Sequence, residues 1–399
     1  MTRISTGMLY QQSLSAMQSK QASLARTQNE LTTGKKLLTA KDDPVGAGAA
    51  VTLDRSKAEL ERFGKNADAV GHRLNMQESA LTQAGDLLGR IQVLAVQAGN
   101  GTLSDGDRQA IASEVQSLRD GLFDIANTAD GTGRYLFGGT QDGGAPFIRH
   151  QGVVSYGGDQ TQRRVEIAPE MFVSDALPGS ELFLRVPTGS GGLDARAAAA
   201  NSGSGKIGGF SLNDSNAWNG DTYRIEFDAD GAYVAFDDDG ARIADGVYVA
   251  GDAISIGGVA ITLTGEPAAG DVFEIGPSRT ADIFSTIDDL VHALTTPATT
   301  DAQKAAQQNA LQASIRNISS AEGHFIDARA AGGAQLSALD SAADLRGAFD
   351  LNIQTTLSGM RDLDYVEAIS RFSLEKVALD AAQLSFVQMQ RNSLFDLLR

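Results

Sequence analysis

Histidines, clustered acids and glycine-rich turns are the groups in this sequence from which a reactive or ligand-binding site could be assembled. His72, His150, His292 and His324 are the four histidines, and they lie scattered, whereas zinc needs ligands at short, regular spacings. Each reads as a surface or packing residue. The acidic runs Phe227-Asp-Ala-Asp-Gly231 and Phe236-Asp-Asp-Asp-Gly240 offer the oxygen ligands that calcium prefers. They lack the third ligand pair and the closing glutamate of an EF-hand loop, and acids before glycine are better explained as hairpin turns. The glycines between Gly203 and Gly209 neither follow a strand nor open a helix, so they do not make a phosphate cradle. No Ser/His/Asp set has supporting motif context. Trp218, the single tryptophan, is expected to pack inside a β region. The expectation is a chain with no catalytic residue, no cofactor and no metal site.

Composition narrows the remaining classes. With 399 residues, 42% of them hydrophobic, the chain can bury more than one core. A formal net charge of -17 argues against nucleic acid, because phosphate binding needs clustered Lys and Arg. Cysteine is absent, which removes disulfides, thiolate ligands and thiol nucleophiles. The first thirty residues hold no unbroken apolar stretch of the secretory type, and no run approaches membrane-spanning length, so no membrane insertion is expected. That fits a cytoplasmic protein, and equally a chain exported by a dedicated machine without a cleaved signal.

The elements that would carry any site are helical at both ends and stranded between. Val70, Leu74, Leu81, Leu88 and Ile91 recur on one helical stripe, which predicts a helix ending near Ala98. Ser104 and Asp107 form a capping pair, and behind them Ile111, Val115, Leu118, Leu122 and Ile125 alternate in fours and threes. From about Gly139 to Pro277 short alternating runs predict β-hairpins, one being Tyr223–Phe227 with Tyr233–Phe236 around Asp230-Gly231. Gly189–Gly205 has almost no large apolar residue and reads as an exposed loop or a linker between two β parts. Helix resumes at Ala281, pauses at Thr295-Thr-Pro297, and runs without proline from Asp301 to about Met360. Leu311, Ile315, Ile318, Phe325, Leu336 and Leu339 share its stripe, and a continuous helix of that length would span about 90 Å.

The predicted fold is therefore mainly α with an inserted β domain: a long antiparallel helical rod, its N- and C-terminal helices paired, with the hairpin-rich domain at the far end. The expected divisions are a terminal helical assembly domain (1–48 and 360–399), a helical rod domain (49–138 and 281–359) and a β insert of one or two parts (139–280). At the N-terminus Met17, Leu24, Leu31 and Leu38 are spaced by seven, but the matching positions are Leu14, Gln21, Gln28 and Lys35. At the C-terminus Val377, Leu384, Val387, Leu394 and Leu398 form a stripe, with Phe386, Phe395 and Leu397 to its side. One reading pairs the two segments inside a single molecule. The other pairs them imperfectly and buries the remaining apolar surface against neighbouring subunits. On the second reading the subunit-assembly interface consists of Leu14, Met17, Leu24, Leu31, Leu38, Val377, Leu384, Val387, Leu394 and Leu398.

Several segments resemble a known family. Leu31-Thr-Thr-Gly-Lys-Lys-Leu-Leu-Thr-Ala-Lys-Asp-Asp-Pro44 is similar to the flagellin N-terminal segment, with Gly34 able to supply a turn, Asp43 an N-cap and Pro44 the first helical position. Asn100-Gly-Thr102, Ile111–Leu118, Ile125-Ala-Asn-Thr128 and the closing Asn392–Arg399 are flagellin-like too. Arg3-Ile-Ser-Thr6, Tyr135-Leu-Phe-Gly-Gly139 leading to Pro146-Phe147, and Gly265–Ile275 resemble the hook-associated proteins that join hook to filament. The resemblance covers both helical arms and only the edges of the β region. It implies a non-enzymatic structural subunit of the extracellular flagellum that self-associates in a ring through its terminal helices. The implied partners are the preceding hook-associated protein on the hook side, flagellin on the filament side and an export chaperone, with type III export and no cleaved signal. The alternatives are a flagellin-type filament subunit and, in another class, a surface adhesin or glycan-acting enzyme on a helical stalk.

Overall fold

Residues 6–100 and 103–397 are described by the computed structural model. Over them the order is helix, strand, helix, as the periodicities predict. The first helices are α1 (Thr6–Thr33), α2 (Pro44–Ala98) and α3 (Asp105–Ala126). The strands are β1 (Phe147–His150), β2 (Val153–Tyr156), β3 (Arg164–Ala168), β4 (Met171–Ser174), β5 (Val186–Pro187), β6 (Leu193–Ala197), β7 (Lys206–Leu212), β8 (Tyr223–Phe227), β9 (Ala232–Phe236), β10 (Arg242–Val247), β11 (Ala253–Ile256), β12 (Val259–Thr264), β13 (Val272–Pro277) and β14 (Thr280–Ala281). Helices α4 (Ile283–Thr295), α5 (Asp301–Arg361) and α6 (Tyr365–Leu397) follow. The residues group into two compact units, one up to Lys65 together with those from Ala342 on, the other Asn66–Ser341.

The Asn66–Ser341 unit holds two apolar cores. In the first, the α2 stripe predicted from Val70 to Ile91 is buried, Leu81, Leu88 and Ile91 completely. It packs with Ile111, Val115 and Leu122 of α3, with α4, and with Leu311, Ile318 and Phe325 of α5. Phe183 lies 5.4 Å from Phe137, 5.4 Å from Phe147 and 5.5 Å from Phe325, edge to face in each case, the arrangement that the ring quadrupole favours. The start of α3 is a full capping box: the Ser104 hydroxyl accepts the Asp107 N–H at 3.2 Å and the Asp107 carboxylate accepts the Ser104 N–H at 3.1 Å. Arg73 of α2 is buried against two carboxylates, Asp175 at 2.9 Å and Asp130 at 3.2 Å, and so ties the loops on either side of β1–β4 to the helix.

The second core is β. An antiparallel sheet in the order β10-β9-β8-β13-β6 and a three-stranded sheet β11-β12-β7 share Ile225, Phe227, Ile261, Leu263, Phe273 and Ile275. The expected hairpin forms, with Phe227 opposite Tyr233 and Gly231 at φ 73°. The acidic runs serve the turns: the Asp228 carboxylate accepts the N–H groups of Asp230 and Ala232 at 2.9 Å each, and Asp237 accepts that of Ala241 at 2.7 Å. Trp218 packs against this core and donates its indole N–H to the Asp221 carbonyl at 3.0 Å.

Gly189–Gly205 differs from expectation. Instead of an exposed loop it contains β6, whose Leu193 and Ala195 are buried and which pairs with β13 at the sheet edge. The rest of the segment is anchored by buried Asp271, whose carboxylate accepts the N–H groups of Ser202 at 2.7 Å and Gly203 at 3.0 Å. With only Leu193 as a large apolar residue, this strand is identified by its pairing with β13, a condition that hydropathy does not register.

Candidate assembly surface

The unit built from both ends of the chain is a set of antiparallel helices. Asp43 caps α2 by accepting the N–H groups of Val45 at 3.1 Å and Gly46 at 2.9 Å, and Pro44 is the first helical residue, where its missing N–H has no cost. Asp364 caps α6 in the same way, accepting from Val366 at 2.9 Å. Gly34 ends α1 at φ 68°, in the left-handed region that glycine enters without strain. The two chain breaks are joined by backbone bonds, Lys36 N–H to the Arg361 carbonyl at 2.9 Å and Leu363 N–H to the Gly34 carbonyl at 2.9 Å.

From these turns α1 and α6 run beside each other, and their seam is partly polar. Ser23 and Thr27 donate to the two oxygens of Glu375 at 2.6 and 2.8 Å. Glu30, itself buried, takes Arg371 from α6 and Arg26 from its own helix. Burial raises the pKa of Glu375, but the two hydroxyl donors, with Arg371 and Lys20, outweigh it and hold the carboxylate below its ordinary range. Further along, Tyr10 and Phe386 pack with tilted rings, centroids 5.0 Å apart. On α6 the positions Ala368, Phe372, Glu375, Leu379, Ala382 and Phe386 are covered in steps of four and three, and Ala378 is half-buried beside them.

This arrangement sorts the candidate interface residues into groups. Leu14, Met17, Leu24 and Leu31 are half-buried along α1, while Leu38, beyond the helix, is exposed. Val377, Leu384 and Val387 do not enter the α1 seam, and Phe386, expected to lie to their side, does. Leu394 belongs to α6 with its side chain outside the described residues, and Leu398 lies outside them altogether. Gln21, Gln28 and Lys35 point to solvent, and Ser23, Thr27 and Glu30 line the seam in their place. Sequence reasoning missed these three. Their spacing of four and three opposite Arg371 and Glu375, themselves four apart, was the available signal.

The other side of α6 is uncovered. At about 100° per residue, Val366, Leu374, Val377 and Leu384 all fall opposite Leu379, and they are 82%, 71%, 66% and 65% exposed. Ser370, Ser373 and Ala381 lie between them, with Glu367 and Asp380 on the flanks. The result is a narrow apolar strip that no residue of this chain covers among those described. Such a strip on a soluble helix marks a contact surface. Elsewhere, no three acidic or histidine side chains converge as a metal site would require among the described residues.

Comparison with known proteins sets this geometry in a family. Residues 4–142 match the bacterial flagellin N-terminal helical region. Flagellar hook-associated protein 3 of Escherichia coli is 26% identical over 396 residues, 99% of this chain and 99% of that protein. The crystal structure of Xanthomonas campestris FlgL is 51% identical and superposes with a TM-score of 0.71, covering 77% of this chain and 99% of that one. The flagellar junction protein FlgL from Legionella pneumophila is 28% identical, with a TM-score of 0.68, 79% of this chain and 100% of that one. The flagellin N-terminal match covers residues 4–142, whereas the likeness to the Escherichia coli protein covers 99% of this chain. By that full-length correspondence the chain belongs to the FlgL family of flagellar hook-associated protein 3.

Proposed function

We infer that this protein is a structural subunit of the bacterial flagellum that joins hook to filament, with no catalytic role. The carrying observation is the uncovered apolar strip of α6 beside a seam that α1 already fills. A helix that has satisfied its own partner and still exposes Val366, Leu374, Val377 and Leu384 has surface to bury against another subunit. Subunits related by rotation can close a ring through one repeated contact of this kind. The junction role rests on the family: the flagellin N-terminal model matches residues 4–142, while hook-associated protein 3 of Escherichia coli matches 99% of the chain, which weighs against a filament subunit.

On this reading Leu14, Met17, Leu24 and Leu31 brace α1 against α6, and Leu38, Val377, Leu384, Val387, Leu394 and Leu398 meet neighbours. The preceding hook-associated protein lies on the hook side and flagellin on the filament side. The site of action is the extracellular flagellum, reached by type III export with an export chaperone and without a cleaved signal. The terminal assembly domain is 1–48 with 360–399, the rod 49–138 with 281–359, and the β insert 139–280.

Deletion tests this directly. Cells without the protein are expected to build complete hooks and to release flagellin into the medium as monomer, because flagellin has nothing to seat on. Electron microscopy with an immunoblot of the supernatant reads both outcomes. Filaments of normal length on the deletion strain would end the junction reading.

A further inference from the structure

Where β6 and the start of β7 meet the elbow between α4 and α5, the Asn66–Ser341 unit forms a half-open cavity of about 510 Å³, a volume typical of small-molecule sites. Its walls are mostly methyl groups, from Ala195, Ala197, Ala305, Ala310 and Ala313, with Ile207. The polar residues on its rim serve the fold. Asn309 accepts the Ile207 N–H at 2.9 Å and donates to the Gly205 carbonyl at 3.0 Å, and Gln307 donates to the Ala293 carbonyl at 2.8 Å.

Two arginines also line the cavity, Arg196 of β6 and Arg316 of α5, and each has a buried Nε without a hydrogen-bond partner. A guanidinium has five N–H donors. Arg316 places one Nη on the Ala195 carbonyl at a long 3.3 Å and stacks over Phe210 at 5.2 Å. Its Nε–H is buried without an acceptor. Burial lowers the pKa of this group from its ordinary value, and only the charge of Asp194 works in the other direction. Asp194 is already engaged, accepting the Thr188 hydroxyl at 3.0 Å and lying 3.5 Å from Arg196. A half-buried cation at the wall of an apolar chamber calls for an anion that carries an apolar body.

We propose that this cavity is a binding site for a small amphiphilic carboxylate, its head on Arg316 and its hydrocarbon part against the alanine wall. A carboxylate accepts from two guanidinium N–H groups at once, which neutralises the charge. The chain removes apolar surface of the wall from water. The proposal does not depend on the assembly role, since cavity and strip lie in separate parts of the chain.

Calorimetric titration of the full-length protein with octanoate, octanol and acetate provides the test. Octanoate should bind saturably at millimolar concentration or below, with octanol and acetate each about tenfold weaker or worse, because each lacks one half of the recognition. Arg316→Gln should weaken octanoate by at least about tenfold and leave octanol unchanged. Ala310→Phe, which fills the chamber and leaves Arg316 in place, should abolish binding, and it decides the matter if Arg316→Gln does not fold by circular dichroism. Equal binding of octanol and octanoate, undiminished binding to folded Arg316→Gln or to Ala310→Phe, or no saturable octanoate binding would each overturn the proposal.

Discussion

Replacing Leu384 by Asp separates a residue that serves the monomer from one that serves the assembly. A leucine side chain moved wholly out of water contributes about 1.5–3 kcal/mol. Leu384 keeps 65% of its surface exposed in the single chain, so about 1–2 kcal/mol remains to be gained per subunit contact. Leu384→Ala should therefore weaken that contact roughly five- to thirtyfold. Leu384→Asp goes further, because an unpaired carboxylate buried between subunits costs several kcal/mol, and incorporation should stop. The purified monomer should melt within a few degrees of the parent, since exposed positions change stability by only about 0.5 kcal/mol. Leu379, five residues earlier on the opposite face and 8% exposed, is the control. Leu379→Ala should cost about 2–3 kcal/mol and lower the melting temperature visibly. Circular dichroism melts of both variants, with swimming assays and microscopy of complemented cells, read the two quantities independently. If Leu384→Asp melts as low as Leu379→Ala, the strip belongs to the monomer's own core and the assembly argument fails.

Gly34→Ala should destabilise the paired turns by about 1–2 kcal/mol, because a Cβ at φ 68° is strained. The added methyl would also sit 2.8 Å from the Tyr365 hydroxyl oxygen. Adding Tyr365→Phe should restore part of the loss, and a double mutant that melts no higher than Gly34→Ala would refute the contact. The α1–α6 pair should also loosen in acid. The pKa of Glu375 is lowered from its ordinary value of 4.5, so its contribution is complete above that value and is lost as pH falls through the lower folded value. Helical signal followed through a pH titration should drop in that range for the parent, and a Glu375→Gln variant with the same acid transition would show that this carboxylate is not responsible.

Local order was legible in the sequence wherever the cause is local. Steps of three and four from Val70 to Ile91, the Ser104–Asp107 box, the Asp43-Pro44 start of α2, the Asp230-Gly231 hairpin and the pause at Thr295-Thr-Pro297 each depend on backbone geometry within a few residues, and each lies where it was expected. The resemblance carried by Leu31–Pro44 and by Tyr135–Phe147 added the family, through residues whose turns and caps can be recognised without a fold.

Partner choice was not legible, because it is a property of what lies opposite. Helix α6 carries two apolar rows, Phe372-Leu379-Phe386 and Val377-Leu384, and both repeat at intervals of seven, so periodicity alone cannot say which one meets α1. The tertiary structure decides for the first row, since Thr27 and Ser23 reach Glu375 and Tyr10 reaches Phe386 from that side only. Strand β6 is the same case in the β region: Leu-Asp-Ala-Arg-Ala looks like a loop until β13 pairs with it. Hydropathy assigns a residue its preference for water, while burial is assigned by the neighbours that the rest of the chain brings to it.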